Sequence, residues 1–262
     1  MPPLPTSAVV AALRSAGCVF AEDEAELILS TAHTPDEAAA MVDRRASGLP
    51  LELVLGWAEF SGLRIAVAPG VFVPRRRTEF LVEQALAAVP GASVVVDLCC
   101  GSGAVGAALA ARLDGAELHA ADVDPAAVHC ARRNVAPFGG HVHQGDLFAA
   151  LPGTLRGRVG ILAANVPYVP TGEIALLPAE ARDHEPPIAL DGGADGLDVL
   201  RRVAVGAARW LAPGGSLFVE TSARQAPLAA EAFSRGGLTA RVAVSEEWHA
   251  HVIIGTRSAS AS

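Results

Sequence analysis

The sequence predicts an α/β fold: a parallel, doubly wound sheet closed by antiparallel strands, with a small helical unit and a β-hairpin linker in front of it. Three observations predict it. From residue 93 onward, apolar runs of strand length alternate with segments of helical period. One of those strands runs straight into a glycine-rich loop that opens a helix. The last two apolar runs are separated by too few residues for a parallel crossover, which needs about a dozen or more, so they must pair antiparallel.

The 262 residues are 51% hydrophobic and 18% charged, enough to bury a core of this kind and unlike a disordered tail or a coiled coil. The opening segment reads as three helices, Ser7 to Ala16, Asp23 to Ala32, and a third begun by Thr34-Pro35-Asp36-Glu37, where Thr34 caps and Glu37 completes a capping box. Residues 1–50 are therefore expected to form a helical domain. From Leu51 to Val73 the short runs LELVLG, AEF, LRIAVA and VFV, broken by Gly56, Ser61-Gly62 and Pro69-Gly70, read as a hairpin linker over residues 51–75.

The α/β domain is expected over residues 76–257. Its elements read as helix Phe80 to Ala88, strand Ser93 to Leu98, helix Ala104 to Leu113, strand Glu117 to Asp122, helix Pro125 to Asn134, strand His141 to His143 and strand Gly160 to Ala164. Then follow helix Gly196 to Trp210, the turn Ala212 to Gly215, strand Ser216 to Thr221, helix Ala223 to Ser234, and strands Leu238 to Val244 and His249 to Thr256. Residues 258–262 read as a flexible tail.

Charge and cysteine usage narrow the setting. All 20 basic side chains are Arg, against 28 acids, and a net charge of −8 disfavours the broad phosphate-binding surface of a nonspecific nucleic-acid binder. No apolar run is long enough to span a membrane and no export signal is visible, so the expected location is the cytoplasm with no membrane partner. Cys18, Cys99, Cys100 and Cys130 lack C-x-x-C spacing and read as reduced thiols.

Chemistry is concentrated in two places. The run VVVDLCCGSGAVG, Val94 to Gly106, brings the small residues Gly101, Ser102 and Gly103 to a helix N-terminus, where backbone N–H groups can approach a ligand closely. Asp122 ends the next strand 19 residues beyond Gly103, where its carboxylate can accept from both ribose hydroxyls of an adenosine. Asp146-Leu147 follows the third strand and suits an adenine amino group and ring face. The glycine spacing alone leaves a nicotinamide dehydrogenase and an S-adenosylmethionine (SAM) enzyme both open.

The second place is Asn165-Val166-Pro167-Tyr168, at the carboxyl end of the fourth strand. A planar NH2 group is a poor nucleophile because its lone pair is delocalised. The Asn165 side-chain oxygen and the Val166 carbonyl could each accept one of its N–H bonds and turn the lone pair toward a methyl donor, while Tyr168 stacks on the plane. Pro167 biases Val166 toward extended geometry and so aims its carbonyl. A plain strand-ending turn is the competing reading of this tetrapeptide.

With these sites in place the chain resembles the protein-(glutamine-N5) methyltransferases of the HemK type, which methylate the Gly-Gly-Gln loop of peptide-chain release factors. Further matching pieces are Leu49-Pro50-Leu51, Glu59-Phe60, Pro69 to Arg75, Thr78-Glu79, Glu185-Pro186 and Gly193 to Leu197. The resemblance implies a class I SAM-dependent methyltransferase domain behind a substrate-recognising helical domain. It implies SAM contacts at Cys99, Cys100, Gly101, Ser102, Gly103, Asp122, Asp146, Leu147 and Asn165, a catalytic clamp at Asn165, Val166, Pro167 and Tyr168, and a release factor as protein partner. The chain departs from the family at Val166 and at Cys99-Cys100, where Pro and Gly-Thr are usual, and at Arg76-Arg77, where Pro-Asp is usual.

Two alternatives share these residues: an exocyclic-amine methyltransferase acting on adenine or guanine in nucleic acid, and a SAM-binding protein without turnover. The pairs His141/His143 and His249/His251 have strand spacing on one face but no third ligand beside them, and no metal is expected.

Overall fold

The computed structural model describes residues 5–259. Three helices open it, α1 (Thr6–Ser15), α2 (Ala21–Thr31) and α3 (Pro35–Ala46), packed around Val9, Leu13, Ile28 and Met41. The Thr34 hydroxyl accepts from the Glu37 N–H at 3.1 Å, as the capping box requires, and the Glu37 carboxylate accepts in return from the His33 N–H at 2.8 Å.

The linker corrects the sequence reading. Leu51–Leu55, expected as a β-run, is a short helix, α4, that follows Pro50 and ends at Gly56 with φ 79°. It buries Leu53 and Val54, and a five-residue segment with four apolar residues is too short to show a period that separates helix from strand. The hairpin is β1 (Trp57–Phe60) with β2 (Leu63–Ala66), paired Trp57 to Ala66. Val71 to Val73, expected as a strand, joins no sheet, though Val71 and Val73 are buried.

Behind the hairpin come α5 (Glu79–Ala88), β3 (Val94–Leu98), α6 (Ala104–Ala110), β4 (Glu117–Asp122), α7 (Pro125–Val135), β5 (His141–Gln144) and β6 (Val159–Ala164). The chain then forms two short helices that the sequence reading left unassigned, α8 (Ala179–His184) and α9 (Pro187–Leu190). It closes with α10 (Asp198–Ala207), β7 (Leu211–Thr221), α11 (Ala226–Arg235), β8 (Thr239–Ser245) and β9 (Ala250–Thr256). The expected turn at Ala212 to Gly215 lies inside β7 as a looped-out irregularity, since Val159 pairs with Leu211 and Ile161 with Ser216. The expected tail falls partly outside the described residues, at 260–262.

The seven-stranded sheet has the order β5-β4-β3-β6-β7-β9-β8; β9 runs antiparallel to both neighbours and the remaining pairs are parallel. Side-chain alternation splits the strands between two cores. Val94, Val96, Leu162 and Leu217 face α10 and α11, whereas Val95, Ile161 and Phe218 face α5 and α6. The hairpin joins the second core through Phe60 and Ile65.

Phe60 is fully buried there, so Phe60→Ala is expected to cost about 3–5 kcal/mol of unfolding free energy, read from denaturant titration. A loss below about 1 kcal/mol would mean that the hairpin is no part of the cooperative core.

Candidate active site

The chain lays β3, β4 and β5 outward in one direction and then returns to place β6 on the other side of β3, so the strand order reverses between β3 and β6. Open α/β sheets bind ligands in the crevice beyond the carboxyl ends of strands at such a point. A cavity of about 870 Å³ lies there, walled by the residues that follow β3, β4, β5, β6 and β7.

The loop after β3 is held in an unusual backbone state. Gly101 and Gly103 have φ of 54° and 79°, and Cys99 adopts 53°, a left-handed value that costs a non-glycine residue roughly 1–2 kcal/mol. Cys99, Cys100, Gly101 and Ser102 line the cavity. Gly103 does not: it faces α7, where a Cβ would sit 3.1 Å from Ala131 and Val135, so its role is close helix packing. Asn134 staples the loop to the hairpin, donating to the Ser102 carbonyl at 2.8 Å and to the Ala66 carbonyl at 2.9 Å. Burial pushes both the Cys99 and Cys100 thiols up, keeping them protonated and unreactive.

Asp122 shapes the loop as well as facing the cavity. One carboxylate oxygen accepts from the Gly101 N–H at 2.9 Å and the other from the Asp124 N–H at 3.0 Å. Burial raises its pKa against those hydrogen bonds. Asp146 accepts from Arg202 of α10 at 2.5 Å, and Leu147 beside it is also left-handed, with φ 50°.

Sequence reasoning missed Asp97, the penultimate residue of β3. One of its oxygens accepts from the Gly106 N–H at 2.8 Å, while Oδ1 is buried with no partner, and burial pushes the carboxyl up to about 7. The signal was visible: an acid inside the run VVVDL has no reason to be there unless something cationic or hydrogen-bonding meets it.

Across the crevice, Asn165 is half-buried, Val166 and Pro167 are buried, and all three line the cavity with Tyr168. Their backbone is braced from behind. Gln225, itself buried, donates one amide to the Tyr168 carbonyl and to the Asp195 carbonyl, each at 2.9 Å. Gly196, with φ 78°, passes so close that a Cβ would lie 2.2 Å from the Tyr168 carbonyl oxygen, which explains glycine in that segment. The Tyr168 hydroxyl donates to Glu220 at 3.2 Å and accepts from Arg77; burial pushes its pKa up, so it remains a phenol.

Arg77, Thr78 and Glu220 around that hydroxyl were not singled out as a group by the sequence, because they come from two segments far apart in the chain. The two histidine pairs do not form ligand sets. His119 joins the first, with its ring nitrogen 2.9 Å from His143, and His249 precedes β9 with φ 47° and so does not share a strand face with His251. Among the described residues no group of three or more potential ligands converges on a metal site, and no helix is long and apolar enough to cross a membrane.

The profile of the methyltransferase small domain matches residues 62–168, from the hairpin through the clamp. Over 208 residues the chain is 41% identical to the release factor glutamine methyltransferase of Geobacter sulfurreducens, covering 78% of this chain and 72% of that one. The chain belongs to the release factor glutamine methyltransferase family. It is also 39% identical to a Streptomyces pristinaespiralis protein named 4-amino-L-phenylalanine/4-methylamino-L-phenylalanine methyltransferase, covering 70% of this chain and 65% of that one. In structure it is similar to a methyltransferase of Pyrococcus furiosus, with a TM-score of 0.57 at 16% identity over 75% of this chain and 90% of the other, a likeness of fold. Methyltransferases of this family use SAM as methyl donor.

The residues present fit that donor. The left-handed loop offers close backbone approach, Asp122 faces the crevice, and the orphaned Asp97 oxygen is an acceptor that lacks a donor.

The Asp97 carboxyl has a measurable signature. Its pKa is raised from 3.8 to about 7, so the native state holds more protons than the unfolded chain between about pH 4 and 7, and stability falls as pH rises through that window. Asp97→Asn is expected to flatten this part of the stability–pH curve in urea titrations of the unliganded protein. Identical slopes for both proteins would rule out the raised pKa.

Proposed function

We propose that this protein methylates the side-chain amide nitrogen of a glutamine in a protein; its relatives are named for a glutamine of a release factor, and the family resemblance points to the one in the Gly-Gly-Gln loop. The observation that carries the reading is the position of Asn165-Val166-Pro167-Tyr168 beside the glycine loop at the strand-order reversal. Two hydrogen-bond acceptors at the end of β6 there meet a cradle for an adenosyl group at the end of β3.

When bound, SAM supplies a methyl group made electrophilic by its sulfonium. In this reading Asp122 takes the ribose hydroxyls, Asp146 and Leu147 the adenine, and Asp97 the amino group, as the loop Cys99 to Ser102 lies along the methionine portion. The Asn165 side-chain amide oxygen and the Val166 backbone carbonyl accept the two N–H bonds of the acceptor amide. That fixes its plane, directs the nitrogen lone pair into the crevice, and stabilises the positive charge that develops on nitrogen. The Tyr168 ring covers the amide plane, held in place by Glu220 and Arg77. No side chain needs to remove a proton before the new bond forms, because the amide loses it afterwards.

The helical segment extends the surface available to a protein acceptor and exposes Val19 and Phe20 between α1 and α2. Translation factors act in the cytoplasm, which is where we place the reaction. A second reading, a free aromatic amine as acceptor, is favoured by the 39% identity to the aminophenylalanine enzyme, since an aryl NH2 offers the same plane and two N–H bonds to the clamp.

Incubation with SAM and a release factor should add one methyl group to the Gly-Gly-Gln glutamine, located by mass spectrometry. Asn165→Ala is expected to lower that rate by about 10²-fold or more, as loss of one transition-state hydrogen-bonding group does elsewhere, while SAM binding, read by calorimetry, persists. Unchanged turnover would eliminate the clamp, and methyl on 4-aminophenylalanine alone would establish the second reading.

A further inference from the structure

We infer that Arg77 makes this protein selective for a glutamine flanked by acidic residues, by offering a carboxylate-binding guanidinium on the acceptor side of the clamp. The inference rests on the glutamine reading above and adds the charge of the acceptor to it.

Arg77 is fixed at its inner edge and open at its outer one. Its Nε donates to Glu220 at 2.9 Å and one terminal nitrogen donates to the Tyr168 hydroxyl, while the guanidinium lies 5.9 Å from the centre of the Tyr168 ring. Among the described residues its other terminal nitrogen, Nη1, has no hydrogen-bond partner. The side chain is 47% exposed, whereas that of its partner Glu220 is 4% exposed.

Glu220 is saturated within the wall: Thr78 donates to one oxygen at 2.6 Å, and Arg77 and Tyr168 to the other. Both side chains border the cavity, but Glu220 is closed off by its three donors and only the guanidinium keeps an open edge. Arg75 repeats the pattern two residues earlier, 35% exposed and paired at 2.6 Å with the buried Glu185. Two half-exposed guanidiniums, each paired with a buried carboxylate, thus mark the rim beside the clamp.

The chemistry of that rim favours a carboxylate. A guanidinium with one free edge, its position already fixed by two hydrogen bonds, accepts a carboxylate with little further ordering. A phosphodiester chain needs a longer basic track than two half-exposed arginines provide. Position 77 carries Asp in the usual pattern of the family, so the charge next to the acceptor is reversed here, and an acidic acceptor that Asp would repel is attracted.

The test uses the whole protein, SAM, and three Gly-Gly-Gln peptides whose flanking residues are Asp and Glu, Asn and Gln, or Lys. The acidic peptide is expected to exceed the neutral one in kcat/KM by about tenfold, the size of one charge-assisted contact, with the difference in KM rather than kcat. Arg77→Gln keeps a hydrogen-bonding group without the charge and should bring that ratio to about one; Arg77→Asp should invert it, and Arg77→Lys should retain part of it. Arg76→Gln removes the same charge from a side chain outside the cavity wall and should leave the ratio as it is. Stabilisation by SAM in a thermal melt verifies that each variant is folded.

Methylation of all peptides without preference, or an acidic preference that survives Arg77→Gln, overturns the inference while leaving the glutamine reading intact. Methylation of no peptide by a protein that still binds SAM, or of an adenine oligonucleotide instead, overturns both.

Discussion

The parallel pairing of β3 with β6 is the constraint on which the site depends. Val95 to Leu98 lies against Ile161 to Ala164 residue for residue, so the two strands end at the same level. The glycine loop leaves one and the Asn165 clamp leaves the other, one strand spacing apart, about 4.8 Å. Neither segment could do much alone. In the proposed function the first segment holds the donor and the second the acceptor, and the distance between them is set by two central strands buried along almost all of their length.

Around that frame, buried carboxylates each do a different job because their donors differ. Asp122 has two backbone N–H donors and organises the loop. Glu220 has three side-chain donors and fixes Tyr168. Asp97 has one donor and an idle oxygen, so burial dominates and pushes its carboxyl up to about 7. The balance between desolvation and available hydrogen bonds, more than the identity of the residue, decides which acid is structural and which is left open for a ligand.

Strain collects at the same place. Cys99 and Leu147 take left-handed backbone angles without being glycine, and both line the cavity and pack against the core that β3 shares with α10 and α11. Tertiary contact makes up what the backbone loses, so a cysteine can occupy a position where the family usually has glycine. The Val166 replacement is easier to accommodate, because the group proposed to meet the acceptor is a backbone carbonyl and Pro167 still follows it.

Much of this molecule was legible in its residues. Glu117 to Asp122 is a strand with the bounds the sequence gives, the closing strands pair antiparallel as their short connection demands, and the loop, Asp122 and the clamp fall on one cavity. Such features follow from local period, loop length and turn chemistry, which a linear reading can count. The short helix Leu51–Leu55 was hidden because a five-residue segment is too short to show a period, and α8 and α9, of six and four residues, for the same reason. The sequence by itself determined the fold class and singled out the glycine loop and the Asn165 to Tyr168 tetrapeptide that border one cavity. Only the tertiary structure decided that Arg77, 91 residues before Tyr168, reaches its hydroxyl, and that Glu220 lies beneath both. Charge pairing between distant segments leaves no periodic trace in the chain and exists only once the sheet has brought them together.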